Sequence, residues 1–378
     1  MSEKPRTLDV LPEGGALAAP AIRTGAGIDR LADFLKANWR AQGVFLLAAA
    51  LVVVARFELL PDPATVIAMT WFQSLATFVA SWAIALSCYL VFETVRTRSL
   101  SASFSYLWSE IFTWKNAAVA VPAAVAMSMV MNSYSDFKSN IAVFHPYQLD
   151  VVFQEVDRLL HFGVQPWVLI ERVIGYGSAT AILDKIYYLW FFAVFVPTAV
   201  LIGMPDRFGI RHQFLLSYVF VWGILGIVCA TALSSVGPIY YDRVYGGPSR
   251  FTDLVQKLEQ ADSAWGLTTM QVREGLWGAY VNDAATIVSG ISAMPSIHNA
   301  MCVLLFLAAR HVNRWLAAAA AVFGLTIFVG SIHLGWHYAI DAYVSAIGVV
   351  LLWKLAGYLT GSKAMRRTKG PATASTLS

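Results

Sequence analysis

Residues 315–359 read WLAAAAAVFGLTIFVGSIHLGWHYAIDAYVSAIGVVLLWKLAGYL. The stretch holds two apolar runs, Trp315–Ile332 and Tyr338–Leu359, each close to the roughly 20 residues that carry a helix across a bilayer. Only a short polar turn separates them, and His337 stands in it. Asp341 follows four residues on, so on a helix the two side chains share one face. A bare carboxylate inside an apolar span would cost on the order of 2.5–3.5 kcal/mol. Asp341 therefore needs a partner, and His337 is one turn away. About forty residues earlier, Met294-Pro295-Ser296-Ile297-His298 sets a second histidine at the start of another apolar run. A histidine oriented by a carboxylate is half of a nucleophilic site, and His298 can supply the acid half.

The whole chain has the same character. Of its 378 residues, 58% are hydrophobic and 13% charged, and the mean hydropathy is +0.60. A soluble domain carries roughly a quarter charged residues, so an ordinary globular core is excluded. The expected fold is an all-α polytopic membrane protein of about eight transmembrane helices. The spans fall near Val44–Leu60, Thr65–Phe92, Phe112–Met131, Leu183–Ile202, Phe214–Leu233, Ile297–Ala309, Trp315–Ile332 and Tyr338–Leu359. The sixth is short and gains length where its start lies in a protein-lined cavity. Cys88, Cys229 and Cys302 lie in apolar stretches without CxxC spacing and read as small core residues. No basic stripe with interleaved aromatics is present, so no nucleic-acid partner is expected.

Residues 1–42 read as a polar tail, without the early apolar core of a cleavable signal peptide, followed by an amphipathic surface helix from about Ile28 to Arg40. Residues 43–111 hold two spans, 112–360 the remaining six, and 361–378 a disordered tail. The mixed stretch 132–180 and the loop 236–296 flank the histidines. In the second, Phe251, Leu254, Val255, Leu258, Trp265, Leu276 and Trp277 suggest short amphipathic helices on the membrane surface, forming a cap or a lid. With both termini on one side, eighteen Lys and Arg fall on that side and nine on the other. The positive-inside rule then makes the termini cytoplasmic and the histidines extracytoplasmic, in an integral membrane that is expected to be a bacterial inner membrane.

Pro295 and Ser296 suit a helix start, and the free amides there, with Ser296, make an anion pocket. A metal site built from His333, His337 and Asp341 on one helical face would need unbroken helix across Gly335, which falls just where one span turns into the next. No metal or other cofactor is expected. A transporter relaying protons through the His337–Asp341 pair would use the same residues for a different purpose.

Pro295-Ser296-Ile297-His298 and His337-Tyr338-Ala339-Ile340-Asp341 are similar to the second and third motifs of the type 2 phosphatidic acid phosphatase superfamily. Met294 and Ile297 follow the form of its inositol phosphorylceramide synthase (aureobasidin-resistance) branch. Asp150–Trp167, with Asp157-Arg158 and Gly163-Val-Gln-Pro166-Trp167, also resembles bacterial members. The similarity spans about residues 112–360 and implies a six-helix catalytic core. It further implies that His337 attacks phosphorus, Asp341 holds its tautomer, and His298 protonates the leaving oxygen and then deprotonates water or an acceptor hydroxyl. The substrate would be a membrane lipid, the acceptor a lipid, polyol or sugar hydroxyl, with simple hydrolysis as the alternative. Two departures stand out. Ser331 occupies the position of the third-motif arginine, and the first motif is not intact, Lys185 being a remnant at best. Lys185, Arg243 and Ser296 are therefore the candidate phosphate-binding residues.

Overall fold

A computed structural model describes residues 25–60, 64–282 and 290–362. The first 39 residues form a unit of their own, and residues 40–378 a second. Of the first unit only the helical run from Gly25 is described. The tail before it, the loop residues 283–289 and the expected C-terminal tail from 363 onward lie outside the described residues.

The described residues are helical, with no strand among them. In chain order the helices are α1 (Gly25–Leu59), α2 (Ala64–Thr97), α3 (Leu100–Tyr106), α4 (Trp114–Ser139), α5 (Ile141–Phe144), α6 (Asp150–Leu160), α7 (Pro166–Ile174) and α8 (Ser178–Gly203). Then follow α9 (Arg211–Phe220), which continues through wider turns into α10 (Ala230–Ala232), and α11 (Tyr241–Tyr245). The chain ends in α12 (Thr252–Trp265), α13 (Thr268–Val281), α14 (Ile297–Val312), α15 (Arg314–His333) and α16 (Ala339–Thr360). Among the described residues seven helices or helical runs are long and apolar enough to span a membrane: those in α1, α2, α4, α8, α9–α10, α15 and α16. The protein is an all-α polytopic membrane protein. The expected sixth span is α14, whose 16 residues fall short of that length.

Two expectations are corrected. The third span does not stop near Met131: α4 runs on to Ser139. Its last two turns carry Asn132, Ser135 and Lys138, polar enough to read as loop. The helices of the 236–296 segment do form, but Phe251, Leu254, Leu258, Leu267 and Leu276 are buried in the same core as the spans. They make a packed cap rather than a loose surface layer, while Trp265 of the expected set stays exposed. Tyr240 and Tyr241 are buried within the cap.

Three buried carboxylates tie the segments outside the spans to the spans and to one another. Asp150 accepts from Ser235 Oγ, the Val236 and Gly237 amides, and the Tyr245 and Tyr338 hydroxyls, at 2.8–3.0 Å. Asp157 accepts the amides of Ala339 (2.7 Å) and Ile340 (2.9 Å), the first residues of α16. Asp184 does the same for Thr268 and Thr269 at the start of α13, both at 2.9 Å. Each caps orphan amides with a negative charge, at α13 and α16 where a helix dipole favours it. Burial raises the Asp157 carboxyl above the usual range, opposed by its two amide bonds. Gly237 permits the tight fit of the cap loop, since a Cβ there would meet the Trp336 carbonyl oxygen at 2.6 Å.

Candidate functional site

The sequence builds the His337 turn by ending one helix and starting another. α15 stops at His333, Gly335 takes φ +76°, and α16 begins at Ala339. His333, His337 and Asp341 therefore do not share one helical face. His333 instead stacks on Tyr176, with ring centroids 4.3 Å apart, and its Nε2 meets the Thr180 hydroxyl at 3.0 Å. Among the described residues no group of three His, Cys, Asp or Glu is placed to hold a metal.

His337 Nδ1 lies 2.8 Å from the Ala293 carbonyl oxygen and 3.1 Å from Asp341 Oδ2. Both partners only accept when Asp341 is ionised, so Nδ1 carries the proton and Nε2 keeps its lone pair. Asp341 Oδ2 also accepts the Tyr338 amide at 3.1 Å. The expected pair is thus formed, with a backbone carbonyl as a second acceptor that the sequence did not reveal.

His298 is held differently. Ser296 is the N-cap of α14, accepting from the Asn299 amide (3.4 Å) and side chain (3.0 Å). That sets His298 in the first turn, where its ring stacks on Tyr187 (centroids 4.8 Å, 24° between planes) and lies against Trp190 at 4.3 Å. The two histidine rings are 5.9 Å apart. That figure is between ring centroids, close enough for both rings to act on one bound group. The Ser345 hydroxyl ties the segments together, bonding the carbonyl of Ser296 at 2.9 Å and that of Asp341 at 2.7 Å.

Both histidines open onto one cavity of about 390 Å³. Aromatic side chains from α8 and α9–α10 line much of it, and Trp336 and Pro295 close the histidine end. Polar side chains of α2 and α4 form another part of its wall: Gln73, Ser74, Thr77, Asn132, Ser135 and Lys138. Lys138 is the one Lys or Arg on that wall among the described residues.

The other candidates lie off the cavity wall. Lys185 Nζ reaches Thr268 Oγ1 at 2.8 Å and Asp184 at 3.3 Å. Arg243 pairs with Glu274 at 2.6 Å, rather than with neighbouring Asp242, and covers the Trp277 ring. The Ser296 hydroxyl is fully buried in its cap. Ser331, where phosphatases keep an arginine, is also fully buried, accepting from Asn299 Nδ2 at 3.3 Å and donating to the Phe328 carbonyl at 2.8 Å. Lys138 was missed because its helix was read as ending two turns earlier. Helical periodicity through Asn132, Ser135 and Lys138 was the signal available.

A sequence model described as the PAP2 superfamily matches residues 152–355, more than half of the 378-residue chain. No curated protein and no solved structure matches it. The matched stretch runs from within α6 into α16 and takes in both histidine segments, the cap and two of the three carboxylates, Asp157 and Asp184, with Asp150 just before its start. The chain belongs to the PAP2 superfamily.

Proposed function

We propose that the protein is a lipid phosphotransferase that works through a phosphohistidine on His337. The observation that carries this is the clamp on Nδ1. It leaves the Nε2 lone pair free on a ring that lines the cavity, with 5.9 Å between its centroid and that of a second histidine. In the first step Nε2 attacks phosphorus, the bond to the lipid oxygen breaks, and protonated His298 gives that oxygen its proton. In the second, an acceptor hydroxyl or water gives its proton to His298 and attacks phosphorus, releasing His337. Asp341 and the Ala293 carbonyl stabilise the charge that develops on the His337 ring. Lys138 holds the phosphate oxygens, in place of the arginine whose position Ser331 occupies.

Transfer to a hydroxyl acceptor is favoured over hydrolysis by the Met294-Pro-Ser-Ile-His298 form of the second motif, which resembles the inositol phosphorylceramide synthase branch. The distribution of Lys and Arg supports an extracytoplasmic site. No step calls on a metal, so turnover is expected to survive a chelator. The test is to incubate the protein in vesicles with ³²P-phosphatidic acid and quench in alkali, where phosphohistidine survives. Label on the wild-type protein and none on His337→Gln, with turnover down at least about 10⁴-fold, is the expected result. Undiminished turnover in His337→Gln would sink the proposal. A proton-coupled transporter would move lipid without releasing phosphate.

A further inference from the structure

The polar wall of the cavity is built by helices that lie outside the family match. Gln73, Ser74 and Thr77 on α2, with Asn132 and Ser135 on α4, line it, whereas the match begins at residue 152. On α2 the three residues share one face by their spacing, and the opposite side is apolar and open, with Phe72 and Val79 exposed. On α4, Asn132, Ser135 and Lys138 recur every third residue, about 9 Å along the helix from first to last. Polar side chains inside spans are costly, and here six of them line one space. Gln73 Oε1 is buried without a hydrogen-bond partner among the described residues, as is the Tyr187 hydroxyl on the same cavity. Amides and hydroxyls without a carboxylate suit a neutral group that both donates and accepts. Lys138 joins this wall to the histidine end.

We propose that the α2–α4 wall is the acceptor subsite, taking a neutral hydroxyl-bearing group. It would hold that group so that one hydroxyl reaches the phosphorus on His337. The inference rests on the phosphohistidine proposal above. In the transfer, the acceptor oxygen forms its bond to phosphorus, the bond from phosphorus to Nε2 breaks, and the acceptor proton goes to His298. The hydroxyl can come from a soluble polyol or sugar, or from a second lipid.

The test uses the full chain in vesicles with ³²P-phosphatidic acid. One arm adds glycerol or glucose, the other a diacylglycerol of different chain length, so that products separate by mass. The wild type should yield a phosphorylated acceptor in one arm, which identifies the source. In Gln73→Leu the ratio of that product to inorganic phosphate should fall about tenfold or more, with a smaller fall in the milder Ser74→Ala. Val79→Ala, on the lipid-facing side of α2, should keep the wild-type ratio. An unchanged ratio in both polar variants, or phosphate release with no acceptor product in either arm, would overturn the subsite. A separate arm measures tritiated glycerol bound to His337→Gln protein, and loss of that binding in the added Gln73→Leu change is expected. Because this arm needs no turnover, failure of the phosphohistidine alone leaves it readable.

Discussion

The two histidines face each other across one cavity, yet the protein holds them by opposite means. His337 is fixed through its Nδ1, shared between a carbonyl and a carboxylate. His298 is fixed through its face, between Tyr187 and Trp190, and none of the hydrogen bonds seen among the described residues involves its ring nitrogens. A nucleophile must present the same lone pair at every turnover, so a clamp that settles the tautomer suits it. An acid–base group must lose and regain a proton within each cycle. Stacking positions such a ring without favouring one protonation state through a fixed partner.

The largest test of that contrast is His298→Gln, which keeps bulk but carries no proton. Steady-state turnover of phosphatidic acid should fall by about 10²–10⁴-fold. An aryl phosphate, whose leaving group needs no proton, should recover most of the labelling step. Failure to recover it would assign His298 a merely structural place. Next comes Lys138→Met, which removes the charge beside His298. A charge-assisted hydrogen bond contributes about 1.5–3 kcal/mol, so kcat/KM should drop roughly 10- to 100-fold, with partial return in Lys138→Arg.

Asp341→Asn probes the clamp itself. In a triad where the carboxylate alone sets the tautomer, the equivalent change costs about 10⁴-fold. Here the Ala293 carbonyl still accepts from Nδ1, so a loss of roughly 10- to 100-fold in kcat is expected. A loss as large as the triad's would show that the carbonyl does not hold the tautomer. Smallest in its effect on chemistry is Asp157→Ala, which strips the cap from α16. Two buried amides lose their partner, at about 1–3 kcal/mol each before local relaxation. Thermal unfolding in detergent should register the loss.

Much of this molecule was written in local sequence. Apolar runs marked seven of the spans, because a bilayer imposes length and composition on each helix separately. His337 and Asp341 were found because their contact is one helical turn apart, and the carboxylate had no other economical neighbour. The Ala293 carbonyl was invisible, being 44 residues away and a backbone atom. Lys138 was hidden by a boundary error: a helix that leaves an apolar environment for a protein-lined cavity turns polar without ending. Lys185 was read as a remnant of the first motif and Arg243 as a phosphate contact, but their partners lie 83 and 31 residues away, within the cap. Pairings of that kind follow from tertiary packing, which a pattern of residue types does not encode.

Asp150 bears on how the protein comes to exist. Its bond to Tyr338 joins residues 188 positions apart, and Tyr338 directly follows His337 in the chain. While the polypeptide is being threaded into the membrane from its N-terminus, the carboxylate is in place long before its last partner has been synthesised. The reactive turn acquires its shape only when the closing pair of helices arrives. Under the proposed function, a chain arrested during insertion is inert toward the lipids around it, and reactivity becomes a property of the finished molecule alone.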